Sequence, residues 1–186
     1  QCGFQALLYA PPERLDLPVG QRVDGAKRMQ TRKEQDIVDV GVPDAGDPRL
    51  RGIRGVSFEP GGVVKITTQL ARHKTDRQRQ AVLFSGGRHA VTRVTVEEPL
   101  GPVTRVSCRL ETGRTHQIRV HLAHIRHPLL GDPVYAGRLR LPAAASPALR
   151  AVLQGYRRQA LHAQRLGLRH PVSGEWMEWQ REVPQD

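Results

Sequence analysis

The run from Val106 to Arg126 constrains this chain most. Val106, Cys108 and Leu110 alternate with Arg105, Ser107, Arg109 and Glu111, the period of a strand buried on one face. Gly113 breaks that strand. Beyond it Ile118, Leu122 and Ile125 recur at helical spacing, so the sequence predicts a helix from Thr115 to Arg126 capped by Thr115. A strand that turns straight into a helix presents backbone donors at the corner, and this corner also carries Arg114, His116, Gln117 and Arg119. Such a corner suits a phosphate or a catalytic carboxylate.

The rest of the chain must build a sheet for that helix. Val63, Val64 and Ile66 lead into a dense basic loop, Arg72-His73-Lys74-Thr75-Asp76-Arg77-Gln78-Arg79, which sits at a predicted hairpin. Ala81 to Phe84 follow, then the turn Ser85-Gly86-Gly87 and a strand marked by Val91, Thr92, Val94 and Val96. Pro99-Leu100-Gly101-Pro102 connects it to the strand ending at Leu110. Gly131-Asp132-Pro133 reads as a turn and residues 139–146 as a surface loop. A second helix is predicted from Pro147 to Arg158, with the proline in its first turn. Leu161, Ala163, Leu166 and Leu168 mark a strand, and Trp176, Met177 and Trp179 a last one. Leu161, Leu166, Leu168, Met177 and Trp179 read as core. From Gln1 to Glu59 no period is sustained: Phe4 to Tyr9 form a brief apolar patch, and Ile37, Val38, Val40 and Val42 one short strand. Strands and hairpins mixed with helices give the α+β class.

Charge narrows the partner. Basic residues outnumber acidic ones 29 to 18, for a net charge of +11, which favours a polyanion through counterion release. Two cysteines far apart, Cys2 and Cys108, imply neither a disulfide framework nor a thiolate metal site, and Cys108 falls on the apolar face of its strand. His116, His121, His124 and His127 lack the His-Glu-x-x-His spacing, and no acid lies within the helix to serve as ligand or base, so no metal is expected. No apolar run approaches transmembrane length and the N-terminus lacks a secretory apolar region, so no membrane partner and a cytoplasmic location are expected.

The stretch Leu110-Glu111-Thr112-Gly113-Arg114-Thr115-His116-Gln117-Ile118-Arg119-Val120-His121, with His127-Pro128-Leu129-Leu130-Gly131-Asp132-Pro133-Val134-Tyr135, resembles the RluA-type pseudouridine synthases, which isomerise uridine in ribosomal or transfer RNA. The basic loop is similar to that family's Arg-His-Pro-Thr-Asp/Lys-Arg run, with Lys74 in place of the proline. Gln159 to Ala163, His170 to Gly174 and Met177 to Trp179 fit it as well. The resemblance implies a pseudouridine synthase-like catalytic domain with a central mixed, largely antiparallel sheet flanked by helices and a cleft for RNA across it. It implies no metal and no cofactor. It also divides the chain: residues 1–60 read as a poorly patterned remnant of the N-terminal half of that domain, and residues 61–186 as its C-terminal part.

Site residues follow from the same resemblance. The family's chemistry needs one aspartate acting on a flipped-out uridine while the glycosidic bond breaks and re-forms at carbon 5. Here Arg14-Leu15-Asp16, with Ala26-Lys27 downstream, is similar to the segment that carries it, which makes Asp16 the expected catalytic residue and Arg119 its partner. Glu13 stands where the family has His, the Thr-Ser pair is missing, and Gly20 arrives one residue early. The family's stacking tyrosine has no counterpart, because no Tyr occurs between Tyr9 and Tyr135. Arg72, His73, Lys74, Arg77, Arg114, His116 and Gln117 are the expected RNA contacts.

Two functions fit. The first is an RNA pseudouridine synthase, an isomerase acting on structured RNA, with large-subunit ribosomal RNA favoured over transfer RNA. The second is a catalytically dead, truncated or frameshifted relative that only binds RNA. A monomer is the default expectation.

Overall fold

The computed structural model describes residues 2–9, 37–40, 60–101, 103–137, 145–156 and 158–184. Within them the chain runs β1 (Cys2–Tyr9), β2 (Ile37–Val40), β3 (Val63–Arg72), β4 (Gln80–Leu83), β5 (Arg88–Leu100), β6 (Val103–Leu110), α1 (Gln117–His124), α2 (Pro147–Gly155), β7 (Leu161–Arg169) and β8 (Trp176–Gln180). The strands form one sheet in the order β2-β3-β5-β6-β1-β7-β8, with β4 paired to the end of β3. Only β2 and β3 run parallel; every other described pair is antiparallel. This is the mixed, largely antiparallel α+β sheet expected from the sequence. Among the described residues no helix is long and apolar enough to cross a membrane.

Alternation explains which face is buried. On β3, Val64, Ile66, Thr68 and Leu70 point one way and are buried. Val94 and Val96 on β5 and Val106 and Cys108 on β6 join them. Helix α1 lays Ile118 and Leu122, followed by Ile125, onto this face, closing a core with Ala6, Leu8 and Leu129. The thiol of Cys108 is pushed up to about 12 by that burial, with Glu97 adding to it, so it is an inert core group. The apolar patch at the N-terminus is a central strand, lying between β6 and β7.

Three details differ from the sequence reading. Helix α1 begins at Gln117, two residues later than predicted, and Thr115 does not cap it. His116 takes the cap position in the left-handed region, at φ 55°, and makes no capping bond through its side chain. Helix α2 ends at Gly155; its cap is Ser146, whose hydroxyl accepts from the Leu149 amide. Finally, Leu166, Leu168 and Trp179 are exposed on β7 and β8 and Met177 is half-buried, whereas Leu161, also half-buried, packs against the core as expected. Periodicity puts these five side chains on an apolar face; α1 lies over β3, β4 and β5, and the cluster beneath it reaches β1 and Leu161 but not the rest of β7 and β8.

Candidate nucleic-acid site at the start of helix α1

The first turn of α1 is tied to the sheet by one buried amide. Gln117 is buried beside β5, and its Oε1 accepts from the Thr112 hydroxyl at 2.8 Å and the Arg114 amide at 3.0 Å. Its Nε2 donates to the Val91 carbonyl at 2.9 Å and to the Thr92 hydroxyl at 3.0 Å. One turn on, His121 is fully buried, with Nδ1 at 2.8 Å from Thr92 Oγ1 and Nε2 at 2.8 Å from Thr68 Oγ1. Burial, with His124 nearby, pushes His121 down to about 3, so the ring is neutral at pH 7. A buried polar group is tolerated when every partner is present, and this seam fixes the helix against both rotation and sliding.

Arg119 lies between those two anchors and faces the turn after the helix. Its Nε donates to Asp132 Oδ2 and its Nη2 to Asp132 Oδ1, both at 2.8 Å, a two-pronged ion pair. The pair is sequestered: the side chains are 11% and 0% exposed. Asp132 also accepts from the amides of Val134 at 2.9 Å and Tyr135 at 3.1 Å through Oδ1. Burial alone would raise its carboxyl, but the Arg119 hydrogen bonds and the two amides outweigh it and hold the carboxyl below its ordinary value. The same hydrogen bonds raise Arg119.

The turn that delivers Asp132 is set by glycine and by β1. Gly131 sits at φ +69°, and a Cβ there would meet the Arg158 carbonyl oxygen at 2.0 Å. Just before it the Leu130 amide donates to the Leu7 carbonyl at 2.9 Å, and the Ala160 amide donates to the Leu130 carbonyl at 2.8 Å.

Tyr135 closes the corner. The Arg119 guanidinium lies 4.9 Å from its ring centroid and that of Arg79 lies 5.4 Å from it. The Tyr135 hydroxyl accepts from the Gln80 amide at 2.8 Å and lies 3.0 Å from His116 Nδ1. Burial, followed by the Arg119 charge, lowers His116 below its ordinary value.

The basic loop is the β3–β4 hairpin. Arg72, Lys74 and Arg77 are exposed on it. His73 braces the loop from within: its Nδ1 accepts from the Asp76 amide at 3.2 Å and the Thr75 amide at 3.4 Å. Arg114 is exposed, with Nε donating to the His89 carbonyl at 3.2 Å. The expected residues are therefore sorted. Arg72, Lys74, Arg77 and Arg114 face solvent, His73 and His116 support local geometry, and Gln117 is turned into the sheet. Asp16 lies outside the described residues, so the carboxylate seen on Arg119 is Asp132. By sequence Asp132 is only a turn residue, and neither Arg79 nor Tyr135 stands out as a site residue. Proximity of Gly-Asp-Pro-Val-Tyr to the helix was the available signal, because a short connection must return the turn to the corner. A cavity of about 850 Å³ bounded by Gln5, Leu7, Arg105, Tyr156 and Val183 reaches this corner through Pro133, beside Asp132. None of the site residues predicted from sequence is among its described lining residues.

The fold is that of pseudouridylate synthase domains. The solved structure of Human RNA Pseudouridylate Synthase Domain Containing 1 superposes with a TM-score of 0.56 at 21% identity, over 98% of this chain and 54% of that one. Human RNA Pseudouridylate Synthase Domain Containing 4 gives 0.52 at 18% identity, over 99% and 58%. A sequence model of the family described as RNA pseudouridylate synthase matches residues 56–124. Ribosomal large subunit pseudouridine synthase D of Escherichia coli (strain K12) is 44% identical over 164 residues, covering 88% of this chain and 45% of that protein. The protein of the same name from Haemophilus influenzae is 53% identical over 196 aligned residues, covering 98% and 58%. The chain belongs to the RluA-type pseudouridine synthase family. It spans about half the length of the curated relatives it matches.

Proposed function

We propose that this chain is the RNA-gripping and arginine-bearing portion of an RNA pseudouridine synthase that isomerises uridine in large-subunit ribosomal RNA in the cytoplasm. One observation carries the reading: the basic hairpin and the Arg119 corner form a continuous structure, joined through Tyr135. A phosphate backbone lying along Arg72, Lys74, Arg77 and Arg114 is thereby brought to a corner whose arginine is already held in one orientation. Phosphate contacts of this kind fix register, and the chemistry takes place on a base removed from its stack.

Arg119 has five N–H donors, of which Asp132 occupies two. The remaining donors are available to orient a second anion, and Asp16 is the proposed catalytic carboxylate. Gln117 and His121 act indirectly by fixing the helix turn that bears Arg119. The relatives' names, which specify the ribosomal large subunit, support the choice of RNA.

The test is chromatographic quantification of pseudouridine in unmodified large-subunit ribosomal RNA after incubation with the purified chain. New pseudouridine that disappears with Asp16→Asn is the expected result. RNA binding without any pseudouridine would overturn the reading.

A further inference from the structure

We infer that Tyr135 is a positioning residue that locks the basic hairpin to the Arg119 corner, so that RNA held on the hairpin is presented to that arginine in one register. The inference deepens the proposed function and rests on that reading for its catalytic consequence, although the lock itself is a matter of structure.

Four contacts converge on this one side chain, and they come from both parts. The ring receives Arg79 of the hairpin and Arg119 of the helix, 5.4 Å and 4.9 Å from its centroid. The hydroxyl accepts from the amide of Gln80, the first residue of β4, at 2.8 Å, and meets His116 Nδ1 at 3.0 Å. With His116 neutral and its proton on Nε2, the phenol donates to Nδ1 while accepting from Gln80, so donor and acceptor are both used. The two rings also meet edge to face, at 78° with centroids 5.8 Å apart. The Tyr135 amide in turn donates to Asp132. A single residue therefore touches the carboxylate turn, the arginine, the strained cap residue and the hairpin.

Besides Tyr135, the hairpin is held by Val82 of β4, which packs against Leu70, Ala90 and, on α1, Val120, an apolar contact that sets no register. Strand β4 has four residues and pairs only with β3 among the described strands, and its side chains are half-buried. Gln69 and Leu70 of β3 also pair with β5, but Ala71 and Arg72 pair with β4 alone, and a two-stranded end of that length is marginal by itself. The left-handed backbone of His116 is costly for a residue with a Cβ, and its ring is held by the Tyr135 hydroxyl.

The experiment uses amide hydrogen exchange on the wild-type chain, Tyr135→Phe and Tyr135→Leu, with single-turnover isomerisation of ribosomal RNA measured on the same samples. Phe keeps the ring and removes the hydroxyl, so exchange at the Gln80 amide should rise on the order of tenfold or more while the α1 amides stay protected. Leu removes the ring as well, and the whole span from Arg72 to Leu83 should exchange faster. RNA affinity at low salt should stay within about twofold in Tyr135→Phe, since no phosphate-facing cation changes. The single-turnover rate constant should fall on the order of 10- to 100-fold, the cost of misplacing a reacting group by about an ångström. A residue that only stabilised the fold would lower the active fraction and leave that rate constant alone. Unchanged Gln80 exchange in both variants would overturn the lock. An unaltered rate constant with faster exchange would overturn its catalytic role. A wild-type chain with no turnover defeats the proposed function and the catalytic role together, and the exchange measurement still decides the lock.

Discussion

The Arg119 corner and the β7–β8 wing lie on the same sheet, and they are built on opposite principles. At the corner nearly every polar atom is committed: Gln117 makes four internal hydrogen bonds, His121 sits between two threonines, and Arg119 is paired at 11% exposure. The wing carries the apolar residues. Leu166 pairs with Trp179 and Leu168 with Met177, and Leu166, Leu168 and Trp179 remain 43%, 39% and 46% exposed. Its ion pair, Arg165 with Glu178, lies in solvent. Burial here is decided by α1. Where the helix lies over the sheet, Gln117, Arg119 and His121 have their partners, and His124 Nε2 alone on the helix is buried without one; beyond β1, among the described residues, the same alternation leaves an apolar face open. Buried polar groups and an exposed apolar face are both more informative than their reverse.

The sharpest way to break this contrast is to remove Asp132. Asp132→Ala leaves Arg119 buried without its carboxylate, and urea unfolding should show a loss of roughly 3–5 kcal/mol. A loss near zero would mean that the ion pair is open to water and that the corner is not organised as described. A paired truncation measures the cover that α1 provides. Leu122→Ala, under the helix, should cost about 2–5 kcal/mol, while Leu168→Ala on the wing should cost well under about 1 kcal/mol. Equal costs would mean that the wing is covered in solution.

Acid gives a smaller and graded effect. His121, held down to about 3, stays neutral while its unfolded counterpart takes up a proton near pH 6.5. Its contribution is complete above that pH and is lost as the pH falls towards 3, with the unfolded state binding the extra proton. His116 and His124 are shifted in the same direction, chiefly by burial. Stability should therefore drop by about 2 kcal/mol or more between pH 6.5 and 5, at about 1.4 kcal/mol per pH unit for His121 alone. A flat profile from pH 7 to 5 would contradict the buried seam.

Much of this was legible in the sequence because period and burial coincide in the middle of the chain. The alternation from Val106 to Leu110 and the helical spacing of Ile118, Leu122 and Ile125 predicted the layer that forms. The same logic failed for Leu166, Leu168 and Trp179, because periodicity assigns a face and does not say whether anything lies over it. Thr115 was a reasonable cap by residue type, but Gln117 takes the Arg114 amide and the Thr112 hydroxyl from inside the helix, and His116 turns the chain. The Asp132 pair and the Tyr135 contacts are between residues 13 to 56 positions apart, beyond what local spacing encodes. Local pattern thus gave Arg119 its place on the helix and left its neighbours to tertiary structure.

The central claim is that one continuous site divides its work, with the hairpin holding RNA and the corner acting on it. The most direct measurement is tritium release from ribosomal RNA labelled at uridine carbon 5, run beside RNA binding over a range of salt. Wild type would be compared with Arg119→Lys and with the hairpin variant Arg72→Gln, Lys74→Gln, Arg77→Gln. The account predicts that Arg119→Lys loses release on the order of 100-fold with RNA affinity unchanged. The hairpin variant should lose affinity, its salt slope falling by about 0.7–0.9 for each phosphate contact removed. Loss of affinity in Arg119→Lys, or full affinity and an unchanged salt slope in the hairpin variant, would contradict it.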